Sequence, residues 1–318
     1  MVAPSPLQPS TLARRVAAFV RLGRPRFLVG GLALHGLGAA VAAQRHAIDL
    51  RAYAWGQAAI TTTQLMTHYA NDYFDLAADR ANRSATSWSG GSRVLPEGEI
   101  EPRVALVAAL VLAASALGID AFIGFRVAGS GAAVLLLLAA LALSWEYSAP
   151  PLRLHSRGLG APTAALVVTV LTPLVGYSLQ ARGSLLPALV AAAPLFCAQA
   201  AMILVIDFPD AEGDRAAGKA TLVVRFGGRA ASRLCVVVIG AAYVVLPLLV
   251  MAGLPTRAAI AISSSAPIAV MLALSLVRGD WRDASRWARL TLLSVVWFGW
   301  LVVAELVAFL SLGGAVSP

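Results

Sequence analysis

The chain has 318 residues, of which 59% are hydrophobic and 13% charged, whereas soluble domains average about 45–50% apolar and about 25% charged. That balance excludes an ordinary soluble globular protein. The net charge of +9 does not indicate a nucleic-acid partner, because the basic residues sit between apolar runs, where they report membrane topology.

The first 26 residues contain five arginines and several Pro and Ser, without the short apolar core and small-residue cleavage site of a signal peptide, and are read as a cytoplasmic tail. Apolar runs then follow at 27–43, 54–74, 104–125, 128–148, 160–180, 185–207, 232–253, 256–277 and 288–312. Each is close to the roughly 20 residues that one crossing needs, and none shows the alternation of a barrel strand. The expected fold is therefore all-α: a polytopic bundle of nine transmembrane helices over 27–312, with a short C-terminal tail at 313–318. Abundant Ala and Gly would let these helices approach closely. Cys197 and Cys235 fall in or beside helices with no metal or redox spacing, and are read as packing residues.

If loops alternate between the two sides, twenty Lys and Arg lie on the side of the N-terminus. Only Arg45, Arg51, Arg126, Arg182 and Arg257 lie on the other. The bias places the N-terminus and the loops after the second, fourth, sixth and eighth runs in the cytoplasm. Lys219 is the only lysine in the chain.

The acids cluster. Asp72, Asp75 and Asp79 follow the second run, and Asp207, Asp210, Glu212 and Asp214 follow the sixth. Positions i, i+4 and i+8 share a helix face, so Asn71, Asp75 and Asp79 form one polar stripe. Asp207, Asp210 and Asp214 form a second. Capping acids would be the plain alternative, but these stripes extend from helix C-termini, where the macrodipole disfavours anions. A hard cation such as Mg2+, bound by carboxylates together with substrate phosphates, would relieve that repulsion. Arg80, Arg83, Arg93, Arg215, Lys219 and Arg225 lie close by in sequence to neutralise phosphate oxygens.

With these residues in place, the sequence resembles the UbiA superfamily of intramembrane prenyltransferases. Asn71 to Asp79 (NDYFDLAAD) matches its NDxxDxxxD motif and Asp210 to Asp214 (DAEGD) its DxxxD motif. Tyr147 to Leu154 (YSAPPLRL) and Gly23 to Leu28 (GRPRFL) resemble two further segments. Gly90 to Ile100 (GGSRVLPEGEI) looks most like the branch that prenylates 1,4-dihydroxy-2-naphthoate in menaquinone synthesis. The resemblance implies a central cavity open to the cytoplasm, in a protein of the bacterial plasma membrane. Two Mg2+ ions would bridge the diphosphate of a polyprenyl diphosphate, held by Asn71, Asp75, Asp79, Asp207, Asp210 and Asp214. Arg24, Arg80, Arg93, Arg153, Arg215 and Lys219 would bind that diphosphate. An aromatic acceptor, a quinone precursor, would then attack the allylic carbon.

Gln64 and His68 precede Asn71 on the same face, and Gln199 precedes Asp207 comparably. With Tyr147 they are the candidates to contact acceptor or prenyl chain. Glu146 is a candidate base, Glu305 a structural intramembrane acid, and His35 has no assignment. Two other classes share features with this reading: a terpene cyclase on the same scaffold, which needs no acceptor, and an ion-coupled transporter, which would place its acids at the midplane.

Overall fold

The computed structural model describes residues 11–313, and the expected tail residues 1–10 and 314–318 lie outside them. Among the described residues the fold is all-helical. The segment read as a basic tail contains a helix, α1 (Leu12–Leu22), whose Ala18 and Leu22 are buried. It is held by Tyr69, whose hydroxyl donates to the Phe19 carbonyl at 2.9 Å. Alternation of arginines with Ala18, Phe19 and Leu22 is an amphipathic pattern, which a membrane-surface helix uses.

The membrane helices follow as α2 (Pro25–Ala42), α3 (Leu50–Phe74) with its short continuation α4 (Leu76–Ala81), α5 (Pro102–Arg126), α6 (Gly131–Ser148), α7 (Gly160–Ala165), α8 (Thr172–Ser178) and α9 (Leu186–Ala216). After these come α10 (Leu222–Phe226), α11 (Gly228–Val244), α12 (Leu246–Met251), α13 (Thr256–Ser263), α14 (Ala266–Arg278) and α15 (Ala284–Gly313). A π-helical turn, Leu166–Leu171, joins α7 to α8 within one span. Seven helices are long and apolar enough to cross a membrane, or eight if α13 and α14, bent by 43°, count as one span. Ser264 and Ser265 divert carbonyls of α13 to their hydroxyls, and Pro267 cannot donate at the start of α14, which accounts for the bend.

The count of nine differs because of α3. At 25 residues it is about 37 Å long, enough to cross. Its Tyr53, Gln57, Thr61, Gln64, His68 and Asn71 recur every three to four residues, a polar stripe that lowers its apolarity. Asp49 caps it, accepting from Arg51 and Ala52 at 2.8 and 3.1 Å.

Helix α9 runs through the centre against α7, α11 and α15. Its 31 residues extend about 46 Å, against a hydrocarbon core of about 30 Å. It is therefore longer than a single crossing needs. Close helix crossing rests on small residues: a Cβ on Gly38 would meet the Pro173 carbonyl oxygen at 1.9 Å, and one on Gly176 the His35 carbonyl oxygen at 2.2 Å. With multiple apolar spans, the chain is an integral membrane protein.

Candidate active site

The two acid stripes meet at one end of the bundle. Asp75 is the single non-helical residue between α3 and α4, and its amide still donates to the Asn71 carbonyl at 2.8 Å, so Asp79 continues the α3 face. On the other side Asp207, Asp210 and Asp214 share the continuous α9, which passes through Pro209 without breaking. Gly213 sets their separation. A Cβ there would lie 2.6 Å from the Ala78 carbonyl oxygen and 2.9 Å from Asn82 Cβ, so only glycine lets α9 lie against α4 this closely.

Cations and amides tie the stripes together. Lys219, buried after α9, places Nζ 2.9 Å from Asp75 and 3.3 Å from Asp214. His155 lies between Asp75 and Asp207, its ring nitrogens 3.7 and 3.5 Å from them, and it stacks on Tyr147 with centroids 5.0 Å apart and planes 9° from parallel. Asn82 Nδ2 donates to Asp210 at 2.7 Å, and Asn71 Nδ2 donates to Asp75 at 2.6 Å and to Ser148 at 2.8 Å.

Electrostatics follow from that geometry. Burial opposes ionisation of Asp75, but the Lys219 and His155 charges override it and hold this carboxyl well below the usual range. Asp79 has less compensation: burial and the neighbouring Asp75 charge push it up to about 7. Burial disfavours a charged His155, yet its contacts with Asp207 and Asp75 raise it to about 10. Lys219, opposed by burial, is likewise raised by Asp75 and Asp214.

The Gly90 to Ile100 segment folds back across both stripes. Gly90 N–H donates to Asp210 at 3.2 Å, Ser92 donates to Asp72 from both its amide and its hydroxyl, and Arg93 donates to the Asp79 main-chain carbonyl. Gly91 passes so close to Asp79 that a Cβ would lie 2.2 Å from its carboxylate. Arg24 forms a buried ion pair with Asp72 and donates to Asn71 at 3.1 Å. Among the described residues the non-glycine positions with left-handed backbone are Arg24, Arg93 and Arg153. Such conformations cost about 1–3 kcal/mol each, and two of the three touch the acid cluster.

Other expected ligands make no ion pair with this centre. Arg80, Arg153 and Arg215 are exposed. Gln64 donates to the Phe27 carbonyl at 2.9 Å. Its Oε1, like His68 Nε2 and Gln199 Oε1, is buried without a hydrogen-bond partner. Glu146 accepts from the Leu152 amide at 2.8 Å and so braces its loop. Glu305 is fully buried and unpaired among the described residues. His155 is not among the sequence candidates, although it directly follows the YSAPPLRL segment. Asp72 and Asn82 likewise carry no role in the sequence reading.

Two buried acid stripes cross-linked by Lys219 and His155 at one end of an α-helical membrane bundle define an intramembrane enzyme that handles an anionic group. Several solved structures share this fold. Digeranylgeranylglyceryl phosphate synthase has a TM-score of 0.65 at 16% identity, with 93% of this chain and 99% of that one covered. A UbiA homologue from Archaeoglobus fulgidus bound to DMAPP and Mg2+ has 0.61 at 19% identity, covering 90% and 98%. The apo UbiA homologue from Aeropyrum pernix K1 has 0.65 at 16% identity, covering 86% and 96%. No curated protein matches the chain. The UbiA prenyltransferase family pattern matches residues 32–302, so the chain belongs to that family and is a prenyltransferase.

Proposed function

We propose that the protein transfers a polyprenyl group from an allylic polyprenyl diphosphate to an aromatic acceptor, with 1,4-dihydroxy-2-naphthoate as the acceptor, and that the reaction depends on Mg2+. The observation that carries this reading is the pair of carboxylate stripes joined by Lys219 across 2.9 and 3.3 Å. Homologues bound to DMAPP or GPP together with Mg2+ support it, and the resemblance of the Gly90 to Ile100 sequence to the naphthoate-prenylating branch supports the naphthoate acceptor.

The site suits Mg2+. Asp214 Oδ2 is buried without a hydrogen-bond partner, and the donors are hard carboxylate oxygens. Among the described residues no three acidic, His or Cys groups converge to cage an ion alone. That suits a cation which keeps substrate phosphates and waters in its shell. Asn71, Asp75, Asp79, Asp207, Asp210 and Asp214 would hold two such ions, which supply charge neutralisation to the departing diphosphate. Lys219 and His155 are positioned to add fixed positive charge to the same oxygens. The allylic carbon–oxygen bond breaks with its electron pair leaving on the diphosphate. An electron-rich ring carbon of the acceptor forms the new bond, and that carbon then loses its proton. The unpartnered atoms of Gln64, His68 and Gln199 are available to orient the acceptor, and Tyr147 holds His155 in place by stacking. The twenty-to-five charge bias supports a site at the cytoplasmic face of the membrane, with α3 as the ninth crossing, and we place the protein in a bacterial plasma membrane.

Purified protein supplied with a polyprenyl diphosphate, with and without 1,4-dihydroxy-2-naphthoate, tests the proposal. A prenylated naphthoate that forms with Mg2+ and is abolished by EDTA is expected. A cyclised hydrocarbon formed without acceptor would instead make the chain a terpene cyclase, and turnover undiminished in EDTA would remove the metal role.

A further inference from the structure

Beside the acid site, α11 and α14 enclose a groove of about 480 Å³. Its mouth carries four arginines: Arg229 and Arg233, one turn apart on α11, and Arg278 and Arg282 at the end of α14 and just beyond it. No acidic residue lines it. The nearest acids, Asp280 and Asp283, are committed to Arg286. Arginines that merely report topology would be scattered through loops, whereas these converge from two helices on one concavity. The rest of the lining is largely apolar, with Val236, Val237, Leu276 and Val277, of which Val237 and Val277 stand exposed.

We propose that this groove binds an anionic phospholipid. The phosphate would take the guanidinium forks, which match phosphate oxygens two at a time, while an acyl chain lies along the valine wall. Basic pockets between membrane helices are suited to acidic headgroups. The groove is connected to the carboxylates through Trp281, which also lines it. Its ring stacks on Phe208 with centroids 5.8 Å apart, and Phe208 lies between Asp207 and Pro209 on α9. The same ring fills the space over Gly228, where a Cβ would meet it at 2.3 Å. A seated lipid therefore clamps Trp281 against the segment of α9 that carries the second acid stripe.

Binding is read without turnover, so this inference can fail or hold independently of the transfer reaction. Native mass spectrometry of the full chain compares phosphatidylglycerol with phosphatidylcholine of identical acyl chains, with inorganic phosphate as competitor. Wild type is expected to retain phosphatidylglycerol preferentially. The pairs Arg229→Gln/Arg233→Gln and Arg278→Gln/Arg282→Gln should each lower that retention roughly thirtyfold, given about 1 kcal/mol per basic residue at an anionic surface, while phosphatidylcholine, whose phosphate is neutralised by its own choline, loses less. Equal retention of both lipids by wild type, or unchanged retention in the variants, overturns the proposal. So does displacement by inorganic phosphate, which makes the groove a free-anion site. The headgroup comparison on wild type decides even where a variant does not fold.

Discussion

His155 lies stacked on Tyr147 with its two ring nitrogens 3.7 Å from Asp75 and 3.5 Å from Asp207, so one imidazolium joins carboxylates 132 positions apart in the chain. Stack and charge can be separated by substitution. His155→Phe keeps an aromatic ring on Tyr147 and removes the charge, whereas His155→Ala removes both. Losing one fixed charge aimed at a departing anion costs on the order of a hundredfold or more in rate, so both variants should lose roughly a hundredfold in kcat/KM for the polyprenyl diphosphate. Activity retained by His155→Phe and lost by His155→Ala would show that His155 acts through packing.

Gly213 offers a second lever, because its missing Cβ is what lets α9 lie against α4. Gly213→Ala inserts a methyl 2.6 Å from the Ala78 carbonyl oxygen, and overpacking of this kind costs about 1–3 kcal/mol. Thermal unfolding in detergent should show a lowered Tm, with prenyl transfer falling further than stability alone accounts for, since the stripes are pushed apart. Gly240, where an added methyl would meet nothing within 4 Å, is the control: Gly240→Ala should leave both unchanged.

Much of this arrangement is legible in the sequence because it is local. The i, i+4, i+8 spacing of Asn71, Asp75 and Asp79 fixes a shared face whatever the tertiary structure, and the apolar runs fix where most helices lie. His155 is not legible in this way. Its partners come from α3 and α9, and only the reversal of the chain after α6 brings it between them. Asp72 is offset from the Asn71 stripe by one residue, so its pairing with Arg24 depends on where α2 begins. The polar stripe of α3 has the opposite effect: the residues that line the interior make a 25-residue helix read as less than a membrane span by apolarity. In α1 three arginines among eleven residues interrupt the apolar run, so the pattern that docks Ala18 and Leu22 falls short of a membrane span and is easily taken for tail.

Topology can be checked at positions the structure leaves accessible. Glu97, Ala220 and Arg182 are exposed, whereas Val94 in the same loop as Glu97 is 1% exposed and a poor reporter. The loops carrying Ser156 and Ala220 are joined by a 2.8 Å amide hydrogen bond, so they share a face. In a background with Cys197 and Cys235 replaced, cysteines at 97 and 220 should be labelled from the cytoplasm and one at 182 from the opposite side. Labelling of 97 and 220 from different sides would contradict both the charge bias and the shared site.

Arg93 sits in left-handed backbone at φ 66 and donates to the Asp79 carbonyl, so its effect on chemistry runs through the end of α4 and the carboxylate it carries. Loss of an interaction made equally in ground and transition states raises KM, whereas loss of one that strengthens as the diphosphate departs lowers kcat. Arg93→Ala removes the guanidinium and keeps a Cβ in strained backbone. Arg93→Gly removes both the guanidinium and the strain. If the guanidinium matters, both variants should lower kcat with 1,4-dihydroxy-2-naphthoate by roughly tenfold to a hundredfold and leave the acceptor KM within a small factor. A defect in Arg93→Ala that Arg93→Gly repairs would locate the effect in the backbone of the loop. A change confined to the acceptor KM would instead place Arg93 against the acceptor's carboxylate.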